Sequence, residues 1–214
     1  MKRLLTIFQV LIFISAFSQP KAVGIFTDHT DVGTPKIRGN TLYDSKTKTY
    51  YIEGGGYNIW FNRDEFQFAY KKIHGDFLMT AHFAFVGTAK EGHRKIGWMV
   101  RQSLVDSAVH VSAVVHGDGL TVLQWRVRPG MKMRDPEDEI RAPENKNKYS
   151  VVQLERRGKT FIMRVAEKEG MPFIAVGEHD MENMQGDVLA GIFICSHTPD
   201  ILEKARIWGV KIKN

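Results

Sequence analysis

The chain has 214 residues, is 43% hydrophobic, carries a formal charge of +6 and contains a single cysteine, Cys195. That length suits one domain with a sizeable core, and a lone thiol excludes an intrachain disulfide. The modest basic excess means solubility with a slight preference for anionic partners, and with no dense basic run or recognition-helix pattern it argues against nucleic acid as a partner.

The chain opens on Met1-Lys2-Arg3, continues in an apolar run over residues 4–17, and places small residues at Ala16 and Ser18. Basic, apolar and small, in that order, is the pattern of an export leader cleaved before Gln19. An uncleaved anchor is the alternative. The apolar run is shorter than the roughly 20 residues a spanning helix needs, so no membrane span is expected after cleavage. Residues 1–18 are read as a signal peptide and 19–214 as a single domain, periplasmic or secreted. Loss of Lys2 and Arg3 lowers the net charge to +4.

Beyond the leader the pattern is β almost throughout. Phe77, Met79, Ala81, Phe83 and Phe85 alternate with Leu78, Thr80 and His82, the two-residue period of a strand. Val109, Val111, Ala113 and Val115 alternate with His110, Ser112 and His116 in the same way. Further strands are expected at 50–53, 66–73, 97–102, 120–128, 149–156, 160–166, 173–176, 188–195 and 206–212. Glycine-rich turns separate them, among them Gly54-Gly55-Gly56 and His116-Gly117-Asp118-Gly119. Residues 180–185 have room for one helical turn. Residues 128–148, rich in charge and proline, read as a long solvated loop of the kind that borders a binding face. Many short strands with regular turns predict a two-sheet sandwich.

With these segments in place, the chain resembles the concanavalin A-like lectin/glucanase superfamily. More narrowly, it is similar to a jelly-roll domain of exported bacterial proteins that is sometimes fused to propeller modules. The segments that carry the resemblance are Asp31-Val32-Gly33, Gly54-Gly55-Gly56-Tyr57-Asn58-Ile59-Trp60, residues 64–70, Gly75-Asp76-Phe77, Gly97-Trp98-Met99-Val100-Arg101, Gln124-Trp125-Arg126 and residues 191–197. The resemblance covers about residues 26–212. It implies an all-β sandwich of two curved antiparallel sheets, with ligands on the concave face. Lectins, glycoside hydrolases and polysaccharide lyases all use that fold.

Retaining glucanases need two carboxylates on one strand face, roughly 5 Å apart, and the Glu-x-Asp-x-x-Glu pattern that supplies them is absent. Glu137 and Glu139 have a suitable spacing but lie in the charged segment and read as a solvated patch. Asp64 and Glu65 are adjacent, so a strand would point them to opposite faces. A lyase acting on acidic sugars needs Arg or Gln to neutralise a carboxylate, and His or Tyr to move a proton. Arg101, Gln124, Arg126 and His197 supply those types, and Gln124 and Arg126 share a strand face. Structural salt bridges are the competing reading for both arginines, and a satisfied strand-end side chain is the competing reading for His197. Sugar binding needs an aromatic plate and planar polar groups. Trp60 beside Asn58 is the aromatic candidate, while Trp98, Trp125 and Trp208 read as core.

Asp28, His29 and Asp31 form an oxygen-rich cluster that reads as turn capping, so no metal and no cofactor is expected. Cys195 reads as a buried small hydrophobe. The leading expectation is an exported carbohydrate-binding domain that holds a glycan, with acidic ones favoured, through Asn58, Trp60, Arg101, Gln124, Arg126 and His197. No catalytic residue is assigned. The alternatives are a polysaccharide lyase or glycoside hydrolase with non-standard groups, and a non-catalytic structural domain of the cell envelope.

Overall fold

The computed structural model describes residues 22–88, 91–143 and 149–214. The expected leader, residues 1–18, lies outside the described residues. In chain order the strands are β1 (Asp28–Val32), β2 (Asn40–Asp44), β3 (Thr49–Gly54), β4 (Phe66–Ile73), β5 (Phe77–Val86), β6 (Lys95–Arg101) and β7 (His110–His116). They continue as β8 (Thr121–Arg126), β9 (Glu139–Arg141), β10 (Val151–Arg157), β11 (Thr160–Ala166), β12 (Ile174–Asp180), β13 (Val188–Cys195) and β14 (Glu203–Lys213). The helical turn expected at 180–185 is a short 3-10 turn at Glu182–Met184.

The strands form two seven-stranded antiparallel sheets. The front sheet runs β1-β4-β13-β6-β7-β8-β9 and the back sheet β12-β11-β10-β5-β14-β3-β2. Late strands lie inside early ones: β13 sits between β4 and β6, and β14 between β5 and β3. This is the jelly-roll sandwich that the sequence predicts.

The core follows from strand parity. Phe77, Met79, Ala81 and Phe83 of β5 meet Ile96, Trp98 and Val100 of β6 and Ala190, Ile192 and Ile194 of β13 between the sheets. Each large apolar side chain fully buried there contributes roughly 1.5–3 kcal/mol. The Trp98 indole N–H is satisfied across the sandwich by the Val152 carbonyl at 3.0 Å, as a buried indole requires.

The front sheet is also covered on its outer face. Ile59 from the β3–β4 connection packs there against Phe66, Phe68, Met99, Val114, Val122 and Phe193. Every residue of β6 and of β8 is therefore buried. Gly56 starts this cover. Its φ of +108° and a Cβ position only 2.0 Å from the Glu65 carbonyl oxygen exclude any other residue.

Four expectations are corrected. Asp28, His29 and Asp31 lie in strand β1, not in a turn, although Asp31 still caps backbone by accepting the Gly39 N–H at 3.0 Å. Residues 128–148 are not wholly a solvated loop. Strand β9 pairs with β8, and Asp138 is buried where it accepts the Arg134 N–H at 2.8 Å. Glu139 is likewise half-buried, not solvated. Trp208 is half-exposed on the outer face of the back sheet, stacked on His82 with ring centroids 5.0 Å apart, because its neighbours Ala205 and Ile207 take the inward positions.

Candidate functional site

The outer face of the front sheet has a closed end and an open end. At the closed end, Arg101 of β6 and Arg126 of β8 are buried with Asp64. Arg126 donates two parallel hydrogen bonds to Asp64, Nη2 to Oδ1 at 2.7 Å and Nη1 to Oδ2 at 2.9 Å. Arg101 Nη2 lies 3.4 Å from Oδ2. Other guanidinium donors go to carbonyls, Arg101 Nε to Ser103 and Nη2 to Val105, both at 2.6 Å, and Arg126 to Met131 at 2.8 Å and to Phe61, while Arg101 Nη1 makes no hydrogen bond. Burial pushes Arg101 down to about 10, which leaves it charged at neutral pH. Burial also raises the Asp64 carboxyl, against the downward pull of Arg126 and Arg101. His110, buried between the two guanidiniums, is held neutral by burial first and then by Arg126 and Arg101.

Both arginines therefore face the side that parity predicts, but the 57–65 connection covers them. The expected ligand contacts from Arg101 and Arg126 are corrected here. Their donors hold three loops to one carboxylate, and neither side chain lines the cleft.

The open end is a cleft of about 280 Å³ at the start of β6 and the end of β7. Asn58, Trp60, Gln124 and His197 of the predicted set line it. So do Lys95, His93, His116 and Arg141, which the sequence reading did not assign. Trp60 is half-buried and its carbonyl accepts the Met133 N–H at 3.0 Å, which fixes the plate to the neighbouring loop.

A directed network builds the wall. The Ile59 backbone N–H donates to Asn58 Oδ1 at 2.8 Å. A backbone amide can only donate, so the orientation of the Asn58 amide is settled. Lys95 Nζ donates to the same oxygen at 3.2 Å and to the His93 carbonyl at 2.9 Å. Asn58 Nδ2 then donates to His197 Nε2 at 3.1 Å. That places the His197 proton on Nδ1, 3.7 Å from Glu91 Oε1. His116 Nδ1 donates to the Leu120 carbonyl at 3.0 Å, which leaves Nε2 as an acceptor. His197 adopts φ 63°. That region costs a non-glycine residue roughly 1–3 kcal/mol, and it turns the ring from the end of β13 into the cleft.

Burial, and then the Lys95 ammonium, lower both His116 and His197, with His116 held at about 3. Burial lowers Lys95 itself below the ordinary lysine range. Burial raises the Cys195 thiol to about 11, so it is an inert small hydrophobe.

The missed residues had a partial signal. Lys95 shares parity with Gly97, Met99 and Arg101, and His116 with His110 and Ser112, so their face was legible. Which end of that face stays open depends on the 57–65 connection, and a strand period does not encode where that segment lies. Among the described residues there is no group of three side chains placed to hold a metal ion, and no helix is long and apolar enough to cross a membrane.

The sequence matches no family model and no curated protein. Its structure is similar to solved ones. A functionally unknown protein from Saccharomyces cerevisiae aligns with a TM-score of 0.64 at 14% identity, covering 86% of this chain and 95% of that one. A family 7 alginate lyase in complex with product aligns at 0.51 and 10% identity, covering 81% and 82%. Lectin I from Ulex europaeus, in complex with the methyl glycoside of α-L-fucose, aligns at 0.50 and 10% identity, covering 82% and 90%. The fold is the concanavalin A-like jelly roll. At these identities the likeness concerns fold, and function has to be argued from the site.

Proposed function

We propose that the chain is a glycan-binding domain that seats a sugar in the cleft on the outer face of the front sheet. The carrying observation is Trp60, a partly exposed aromatic plate that lines the same cleft as Asn58, Gln124 and His197. The apolar side of a pyranose ring stacks on such a plate, while its hydroxyls pair with planar amides and imidazoles. The fold likeness to a lectin and a lyase crystallised with sugars is consistent with this reading. The leader pattern at residues 1–18 supports export, to the periplasm or outside the cell.

Titration calorimetry of the protein from Gln19 onward against a panel of oligosaccharides tests the proposal, with product analysis on the same samples. Saturable binding without turnover is the expected result. Trp60→Ala should weaken binding by about tenfold with little change in melting temperature. Cleaved products would move the reading to an enzyme, and a blank panel would leave a structural domain.

A further inference from the structure

We propose that the cleft contains an anion subsite, built on Lys95, that takes the carboxylate or sulfate of a charged sugar. The inference rests on the glycan-binding reading and names the class of glycan. Its starting point is a charge without a partner.

Lys95 is only 3% exposed. Its ammonium has three donors and spends two of them, on Asn58 Oδ1 and the His93 carbonyl. Both acceptors are neutral. Arg94 is buried to a similar degree but is paired with Glu203 at 2.7 Å, and Arg101 and Arg126 have Asp64. No carboxylate among the described residues forms an ion pair with Lys95. Glu91 and Asp118 act on it only through space, and each accepts a backbone N–H, Glu91 that of His93 at 2.8 Å and Asp118 that of Leu120 at 3.0 Å. A buried ammonium without a counter-charge is costly. An anion arriving from solvent relieves that cost, and the cleft gives it a route.

Gln124 is 1% exposed and lines the same cleft with an Nε2 that makes no hydrogen bond, but it lies two strands from Lys95 and in register with Glu139 of β9, so it serves the hydroxyl end of the ligand. The neutral His116 offers Nε2 as an acceptor, so it suits a hydroxyl and does not compete for the anion. On the β9 side, Asp135 and Glu139 are both held by Arg141, at 3.1 and 2.5 Å. That wall carries more negative than positive charge and repels the anionic end of a ligand. The two walls orient the sugar, with its acidic group toward Lys95 and its hydroxyls toward β9. The charge preference that the sequence reading gave to Arg101 and Arg126 thus moves to residues that line the opening.

The test is calorimetry with four probes: a triuronate, the same trisaccharide with its carboxyls reduced to alcohols, a sulfated trisaccharide and an unmodified neutral trisaccharide. Wild type should bind at least one anionic probe about thirtyfold tighter than the reduced one. Preference for the triuronate identifies a carboxylate, and preference for the sulfated probe identifies a sulfate. Lys95→Met should bring the anionic and reduced probes to within about threefold of each other. It should also hold or raise the melting temperature, because the variant removes an unpaired buried charge. Equal binding of charged and reduced probes by wild type would overturn the subsite and leave the glycan reading intact. Uniform failure of all four probes would overturn both. The wild-type comparison decides the matter even if Lys95→Met does not fold.

Discussion

At the scale of single residues, Asp64 holds the closed end of the front face together. Its two oxygens serve Arg126 and Arg101 in a region without water access. Breaking a buried pair costs far more than forming it contributes, because the surviving charge stays buried. Asp64→Asn should therefore lower unfolding stability by about 3–5 kcal/mol in urea titrations. Asp200→Asn, which breaks the exposed pair with Lys36, should leave stability nearly unchanged. Similar losses from the two variants would refute the clamp. The sequence made the side-chain directions of Arg101, Gln124 and Arg126 legible, since parity alone decides the face. It could not reveal that Asp64, from an irregular segment, would take up both guanidiniums. An adjacent acidic pair outside any strand carries no periodic signal.

At the scale of elements, the strands that were easiest to read are those with an apolar face, such as β5, β7 and β13. The ones missed, β1, β2 and β9, have the sequences Asp-His-Thr-Asp-Val, Asn-Thr-Leu-Tyr-Asp and Glu-Ile-Arg. They are short strands at the outer edge of a sheet. An edge strand buries little, so its composition stays polar and hides the alternation. Central strands carry the opposite constraint. Gly191 of β13 lies between β4 and β6, and a Cβ there would sit 1.9 Å from the Ala69 carbonyl oxygen and 2.7 Å from Tyr70 Cα. Those are backbone atoms of a paired strand, and they cannot give way without parting the ladder. Gly191→Ala should destabilise by roughly 1–3 kcal/mol or more, read from urea midpoints. Gly186→Ala, where nothing lies within 4 Å of the added carbon, should be nearly silent. If both variants melt alike, the close approach of β13 and β4 is not limiting.

At the scale of the whole molecule, covering the front sheet on both faces buries histidines that the sequence offered only as strand residues. His116 meets Lys95 from β6, His93 just before it, and His197 from the end of β13, with burial as the larger effect; together they hold it at about 3. His110 faces Arg126 and Arg101 and lies well below the ordinary range, again chiefly through burial. Both are neutral in the folded state and titrate near 6.5 once unfolded. Between pH 6.5 and about 3 the unfolded chain binds protons that the folded chain refuses, so stability rises with pH in that window and falls on acidification. The loss is absent above pH 7 and amounts to about 2 kcal/mol per histidine by pH 5. Carboxylates held down by partners, such as Asp138 and Glu155, add their own loss only nearer pH 4. The interval from pH 7 to 5 therefore lies above the loss from those carboxylates. Urea titrations across it should show proton uptake on unfolding, to which His82, His179 and His197, also lowered by burial, contribute, and His116→Asn, whose amide can still donate to the Leu120 carbonyl, should remove up to about one proton of it. A flat profile in wild type would mean that water reaches both rings and that the front sheet is not sealed as the packing of Ile59 and Asp64 requires.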